Sequence, residues 1–236
     1  MIERLSLSDV CALAQDCLTR AGAPDAVAQA VSAEVAAAEA AGERQHGIEA
    51  LLRDIRLMRY GRIEAGARPQ VSRPRPGLMH CDAGHGFAAA ALEGAVGALH
   101  DLARQQGIAL LRLDRASDPG AMIGVSGALA RYGLAVLAFG AVGAGRIAHP
   151  DIAAPATLRH PPRDVLAMLL PQPMGGQPAD GPLDGPVSHG AWIVALDPAA
   201  AGDRMLAADI WSVVPAAPPA REIAFSSELL EQLVTA

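Results

Sequence analysis

Residues 78–114 read LMHCDAGHGFAAAALEGAVGALHDLARQQGIALLRLD, and they set the architecture. Residues 78–81 are apolar enough for a strand and run into a turn, Asp82-Ala83-Gly84-His85-Gly86. Residues 87–106 place Ala and Leu at helical spacing, with Gly107 at the natural stop. Residues 108–113 form an apolar run broken only by Arg112, which fits a buried strand. Beyond the 114–120 loop, residues 121–132 predict a helix and 134–139 another strand. Strand, helix, strand, helix, strand points to an α/β fold: a mixed sheet flanked by helices.

Toward the N-terminus the pattern is helical. Ser8 is placed to cap a first helix, with Asp9 at its positive end and Gly22 after its last turn. Pro24 and Asp25 open a second helix that runs to Gly42, since proline is tolerated in a first turn. A third covers residues 48–60, with Leu51, Leu52, Ile55 and Met58 inward. Residues 62–77 are a crossing loop with a short strand near Val71.

Toward the C-terminus, residues 140–163 read as loop and 165–170 as a strand. Residues 171–187 are Gly/Pro-rich, which fits a lid or a linker. Strands are expected at 191–196 and 209–214, helices at 199–208 and 227–236, the last begun by Ser226 or Ser227. We expect one domain over residues 1–236: N-terminal helices at 1–61, then sheet and helices at 78–170 and 188–236.

Composition narrows the function. With 51% hydrophobic but only 3% aromatic residues, the core is built from Ala, Val, Leu and Ile. A net charge of -6 argues against a nucleic-acid partner, which calls for a basic face. Every non-histidine base is Arg, so lysine Schiff-base chemistry is excluded. Cys11, Cys17 and Cys81 are an odd number without a CxxC pair, so reduced thiols are expected rather than a disulfide framework or zinc site. His149 and His160 lack acidic or Cys partners at metal spacing, so no metal is expected. No run approaches the roughly 18 apolar residues of a membrane span, and the N-terminus has no apolar signal core. A cytoplasmic protein is the expectation.

Residues 37–51, AAEAAGERQHGIEAL, carry the candidate chemistry. One helix ends, Gly42 breaks the chain, and another begins near Gly47. His46 sits at the break, where a side chain can face a cleft, although a histidine there is commonly a cap or surface group. Asp118, before Pro119, reads most simply as a turn residue. Gly143-Ala144-Gly145 is not GxGxxG, so no Rossmann site is indicated.

Three stretches together resemble the malate/L-lactate dehydrogenase family, which is unrelated to the Rossmann lactate dehydrogenases. Its members include ureidoglycolate and sulfolactate dehydrogenases and cyclic-imine carboxylate reductases. Residues 39–51 resemble its Ser-His-Gly helix break, and residues 82–120 its Asp/Gly turn, Ala-rich helix and Ser-x-His-x-Gly loop. Residues 188–203, SHGAWIVALDPAAAGD, resemble its strand ending in Ile-Asp-Pro. The resemblance implies a largely antiparallel sheet, a homodimer, and NAD- or NADP-dependent redox chemistry on a small carboxylate. That substrate class comprises 2-oxo, 2-hydroxy and imino acids. It also implies His46 as proton donor and an arginine, Arg44 or Arg53, on the substrate carboxylate, with Ser117 beside it.

The chain departs from the family pattern at identifiable positions. Gln45 replaces the serine, and Ala50 stands at the following arginine position. Anchored on Gly120, the loop's histidine becomes Asp118; anchored on Ser117, it becomes Pro119. The family's Gly-Thr-Asn-Pro segment reads Leu158-Arg159-His160-Pro161 here, and a Gly-His-Lys-Gly segment has no counterpart in a chain without lysine. A second expectation follows: a shortened relative without nicotinamide. It would use His46 and Asp118 in a proton transfer, elimination or cyclisation, or serve as a non-catalytic binding subunit.

Overall fold

The computed structural model describes residues 2–117, 122–140, 145–148, 150, 156–158, 189–201 and 220–235. The strand expected at 165–170, the Gly/Pro stretch at 171–187 and the strand at 209–214 lie outside them.

The N-terminal layer is helical: α1 (Leu7–Arg20), α2 (Asp25–Ala40) and α3 (Ile48–Arg59), with a 3-10 turn at Arg44–His46 between the last two. Ser6, not Ser8, caps α1. Its Oγ accepts the Asp9 N–H, and the Asp9 carboxylate accepts the Ser6 N–H in return. Ser6 can do this because it is the last residue of β1 (Ile2–Ser6), whose extended backbone suits a cap. β1 pairs antiparallel with β9 (Glu222–Ser226), so the two ends of the described chain form a ribbon. The final helix, α7 (Ser227–Thr235), is capped by Ser226 through the Leu229 N–H at 3.3 Å.

The second layer is a seven-stranded sheet. It contains β2 (Gln70–Arg75), β3 (Leu78–Asp82), β4 (Ile108–Ala116), β5 (Ala135–Gly140), β6 (Gly145–Ala148), β7 (Ala156–Leu158) and β8 (His189–Leu196). The spatial order is β2-β3-β4-β8-β5-β6-β7. Only β3 and β4 are parallel, joined by the crossover helix α4 (Ala88–Gln106); every other neighbouring pair is antiparallel. Helix α5 (Ile123–Arg131) joins β4 to β5, and a short α6 (Pro198–Ala201) follows β8. The sheet is therefore mixed, largely antiparallel and non-Rossmann.

Residues 145–148 and 156–158, read from sequence as loop, are strands. Their Gly and Pro surroundings hide the signal. They form because β5 offers an open edge to β6, which in turn pairs with β7.

Strand alternation explains the core. Along β4, Ala109, Leu111 and Leu113 are buried, facing one way, while Leu110, Arg112 and Asp114 face the other and are only partly covered. On the buried face, Met79, Cys81, Leu111, Leu113 and Ile193 share a cluster with Leu92 and Leu99 of α4 and Leu129 of α5. Each fully buried leucine stabilises the fold by about 1.5–3 kcal/mol. On the other face, Arg112 is stacked over the Trp192 ring at 5.7 Å and lies beside Asp114, which also pairs with His80 at 2.9 Å. Arg112 interrupts the apolar run without entering the core.

A second cluster joins the N-terminal helices to the chain's other end: Val10, Leu18, Val31, Ile48, Leu51 and Ile55 meet Phe225 and Leu233. Helix α2 bridges the layers, packing against α1 and α3 as well as α4 and α5.

Candidate active site

Helix α2 ends at Ala40, and the chain turns back on itself. The Gly42 N–H bonds Glu39 O and the Glu43 N–H bonds Ala38 O, a closure that needs the left-handed φ of 75° at Gly42. The Arg44–His46 turn follows, closed by His46 N–H to Glu43 O at 2.8 Å and Gly47 N–H to Arg44 O at 3.0 Å. His46 is half-buried at the mouth of α3.

This turn rests on a buried acid that the sequence reading did not single out. Glu39 is only 3% exposed, and its Oε1 accepts the Ile48 N–H at 2.8 Å, capping α3 from outside the helix. Gly47 supplies no cap of its own. A Cβ at Gly47 would lie 2.0 Å from Glu39 Oε1, so glycine is required for the carboxylate to reach. Burial pushes the Glu39 carboxyl up from its ordinary range; the Ile48 N–H and the Arg44 charge pull it part of the way back. Glu39 Oε2 is buried without a hydrogen-bond partner among the described residues. The available signal was Glu39 seven residues before His46, with a glycine at the helix start where a capping residue is usual.

The same device recurs at α5. Glu34, also on α2, accepts the Ile123 N–H at 2.6 Å and the Gly124 N–H at 2.8 Å. A Cβ at Gly124 would lie 2.5 Å from Glu34 Oε2. The two glutamates are five residues apart, so they leave α2 about 7.5 Å apart along its axis, from different sides.

The other predicted residues are distributed as follows. Arg44 is exposed and donates to Ala224 O of β9 at 3.3 Å, tying the His46 turn to the terminal ribbon. Arg53 is exposed on α3 and pairs with the buried Asp54 at 3.0 Å. Ser117 directly follows β4, with its N–H on Gly86 O and its carbonyl accepting the Ala88 N–H. Its side chain is 2% exposed, and its Oγ has no partner among the described residues. Asp118 lies outside the described residues. The structure thus joins His46 and Arg44 in one turn, puts Arg53 farther along α3, and sets Ser117 against the start of α4.

The turn after β3 contains a second feature missed in sequence. Gly84-His85-Gly86-Phe87-Ala88-Ala89 lies between a strand and a helix, with a parallel strand to follow, which is the setting of a dinucleotide fingerprint. The geometry here is different. A Cβ at Gly86 would lie 2.7 Å from Ala67 Cβ and 3.1 Å from Glu64 O, so protein fills the close-approach space. The Ala88 N–H is already bonded to Ser117 O. The turn is held instead by Asp82, whose carboxylate takes a two-pronged contact from Arg115 and the Gly84 N–H. The Arg115 hydrogen bond holds the Asp82 carboxyl below the usual range. His85 and Arg115 adopt φ of 64° and 52°, strained for non-glycine residues.

Comparison with known proteins fixes the lineage. The sequence profile of the malate/L-lactate dehydrogenase family matches residues 5–156. The chain belongs to that family. It is 34% identical over 176 residues to the Δ1-pyrroline-2-carboxylate reductase of Pseudomonas fluorescens, covering 74% of this chain and 50% of the relative. It is 38% identical over 110 residues to the Δ1-pyrroline-2-carboxylate reductase of Ancylobacter novellus, covering 47% of this chain and 32% of that one. The chain thus spans half or less of these relatives' lengths. Among solved structures, a dehydrogenase from Sinorhizobium meliloti superposes with a TM-score of 0.78 at 17% identity, covering 100% of this chain and 99% of that one. The Δ1-piperideine-2-carboxylate reductase from Pseudomonas syringae pvar. tomato gives 0.73 at 18% identity, with 98% of both chains covered. The superpositions establish the fold of this malate/L-lactate dehydrogenase family member. Among the described residues no helix is long and apolar enough to cross a membrane, and no three His, Cys, Asp or Glu side chains gather as a metal site.

Proposed function

We propose that this chain is an oxidoreductase that reduces a small cyclic imino acid, or a related 2-oxo acid, with NADH or NADPH as the redox partner. The observation that carries the reading is the His46–Gly47 turn at the mouth of α3, inside the 5–156 stretch that matches the family profile. The similarity to Δ1-pyrroline-2-carboxylate reductases favours an imino acid within that class.

Reducing a C=N bond needs a proton on nitrogen as the π electrons move onto it. His46, in its protonated form, is the group we assign to deliver that proton. Arg44 and Arg53 are the candidates to hold the carboxylate, and Arg44 is the nearer in sequence. Ser117 and Asp118 belong to the same reading as a substrate contact and a second proton-transfer group. Bound nicotinamide would supply the hydride. The described Gly-rich turn after β3 does not fit a dinucleotide, because Ala67 and Glu64 fill its cradle, so no cofactor contact is assigned to it. A cytoplasmic homodimer is the assembly that goes with this activity.

The departures at Gln45, Ala50 and the Leu158-Arg159-His160-Pro161 segment favour a second reading. The protein would then be a relative without nicotinamide, either a cofactor-free enzyme built on His46 or a binding subunit. One titration separates the two. The protein is mixed with NADH and with NADPH, nicotinamide fluorescence is followed, and Δ1-pyrroline-2-carboxylate is then added. Saturable binding with oxidation of the cofactor supports the reductase. No binding at millimolar cofactor sinks it and leaves the second reading.

A further inference from the structure

The device under His46 has a consequence beyond capping. A serine or aspartate at position 47 would cap α3 locally, as most helices are capped. This chain instead has glycine there and sends in a carboxylate from α2. A local cap would leave the His46 turn free to shift with α3. A cap from α2 fixes the turn to the element that bridges both layers. Glu39 is buried. One of its oxygens has no partner among the described residues, so it is held there against the desolvation of a charged group. The matching Glu34–Gly124 contact shows that α2 fastens α5 in the same way, at a point that does not touch the His46 turn.

We propose that Glu39 is the positioning residue of His46: its carboxylate fills the space a side chain at Gly47 would take and accepts the Ile48 N–H, and so sets where the imidazole stands over the substrate. The role assigned to His46 rests on the reductase reading; the mechanical link from Glu39 to His46 does not.

The test uses the full chain and four variants: Glu39→Ala, Glu39→Gln, Glu34→Ala, and Glu39→Ala combined with Gly47→Ser. Two readouts are taken, the His46 ring resonance in histidine-labelled protein and turnover of Δ1-pyrroline-2-carboxylate with NADPH. Glu39→Ala should move the His46 resonance and lower kcat by about 10- to 100-fold, the scale of a displacement near 1 Å, with KM for NADPH unchanged. Glu39→Gln keeps an acceptor for Ile48 N–H and should restore both. Glu34→Ala loosens α5 and should leave the His46 resonance in place. The double variant gives α3 a local cap, so it remains testable if Glu39→Ala alone does not fold. It should fold with the resonance still displaced and kcat still low. Full recovery of kcat and resonance in the double variant would overturn the proposal, because Glu39 would then be only a cap. If the wild type turns over no imino acid, the reductase reading fails, yet the resonance still decides: an unmoved His46 signal in folded Glu39→Ala overturns the positioning role.

Discussion

Replacing Gly47 by alanine should destabilise the protein by about 3 kcal/mol, far more than a methyl group at a helix start normally does. The reason is the added Cβ, which would lie 2.0 Å from Glu39 Oε1, 2.5 Å from its Cδ and 2.9 Å from its Cγ. Ordinary contacts begin above 3 Å, so the whole carboxylate must withdraw by more than 1 Å. The 2.8 Å bond to Ile48 N–H cannot survive that movement. A hydrogen bond to a charged group contributes about 1.5–3 kcal/mol, and stranding a buried acceptor adds about 1–3 kcal/mol. Partial relaxation offsets some of the sum, which leaves about 3 kcal/mol. The assay is urea unfolding of wild type, Gly47→Ala, Glu39→Ala and the double variant, read as a shift in midpoint at constant slope. In the Glu39→Ala background the added methyl meets no carboxylate, so Gly47→Ala should cost less than about 1 kcal/mol, the scale of a Gly/Ala exchange. A coupling between the two sites below about 0.5 kcal/mol, the limit for independent positions, would refute the reasoning.

Three further outcomes follow from other contacts. Arg104 joins α4 to the buried Asp197 at 2.7 Å and to Tyr132 O, past the end of α5, at 2.8 Å; Arg104→Met should cost about 2 kcal/mol in urea unfolding, below the 3–5 kcal/mol of a fully buried pair because Arg104 is partly exposed. The Glu39 carboxyl is raised by burial in the folded state, so its stabilising contribution is full below the unfolded value near 4.3 and is lost as pH rises through the folded value. Glu39→Gln should therefore gain stability relative to wild type as pH rises above the unfolded carboxylate value, and a gap that narrows would contradict the assignment. Cys81 is buried with its thiol pushed up to about 11, Cys17 is buried and raised, and Cys11 is partly exposed; a thiol reagent at pH 8 should label Cys11 quickly, and Cys17 and Cys81 only after unfolding.

The elements built on local periodicity were legible without a structure. Residues 87–106 carry a 3.6-residue pattern that ends at Gly107, and α4 runs from Ala88 to Gln106. Residues 108–113 carry an apolar run, and β4 begins at Ile108. His46 was legible as a break between helices, and the 3-10 turn at Arg44–His46 is that break. β1 was not legible. Five residues beginning Ile-Glu-Arg hold no strand signal strong enough to stand alone, and their partner, β9, begins 220 positions from Ile2. β6 and β7 were hidden for a related reason, since a strand in a Gly/Pro-rich stretch owes its form to the edge it joins.

The sequence alone determined the α/β class, the three N-terminal helices, the helix break that carries His46, and the family, because these depend on neighbours within a few turns and on short motifs. Tertiary structure alone decided which groups support that break. Glu39 looks like one more polar residue in an Ala-rich helix until Gly47 is folded against it, and Glu34 until Gly124 arrives from 90 positions away. It also decided that the Gly84–Ala89 turn is packed by Glu64 and Ala67 rather than open to a phosphate. A glycine in a sequence records only that a side chain is missing; what occupies the vacated space is set by segments that meet after the chain has folded.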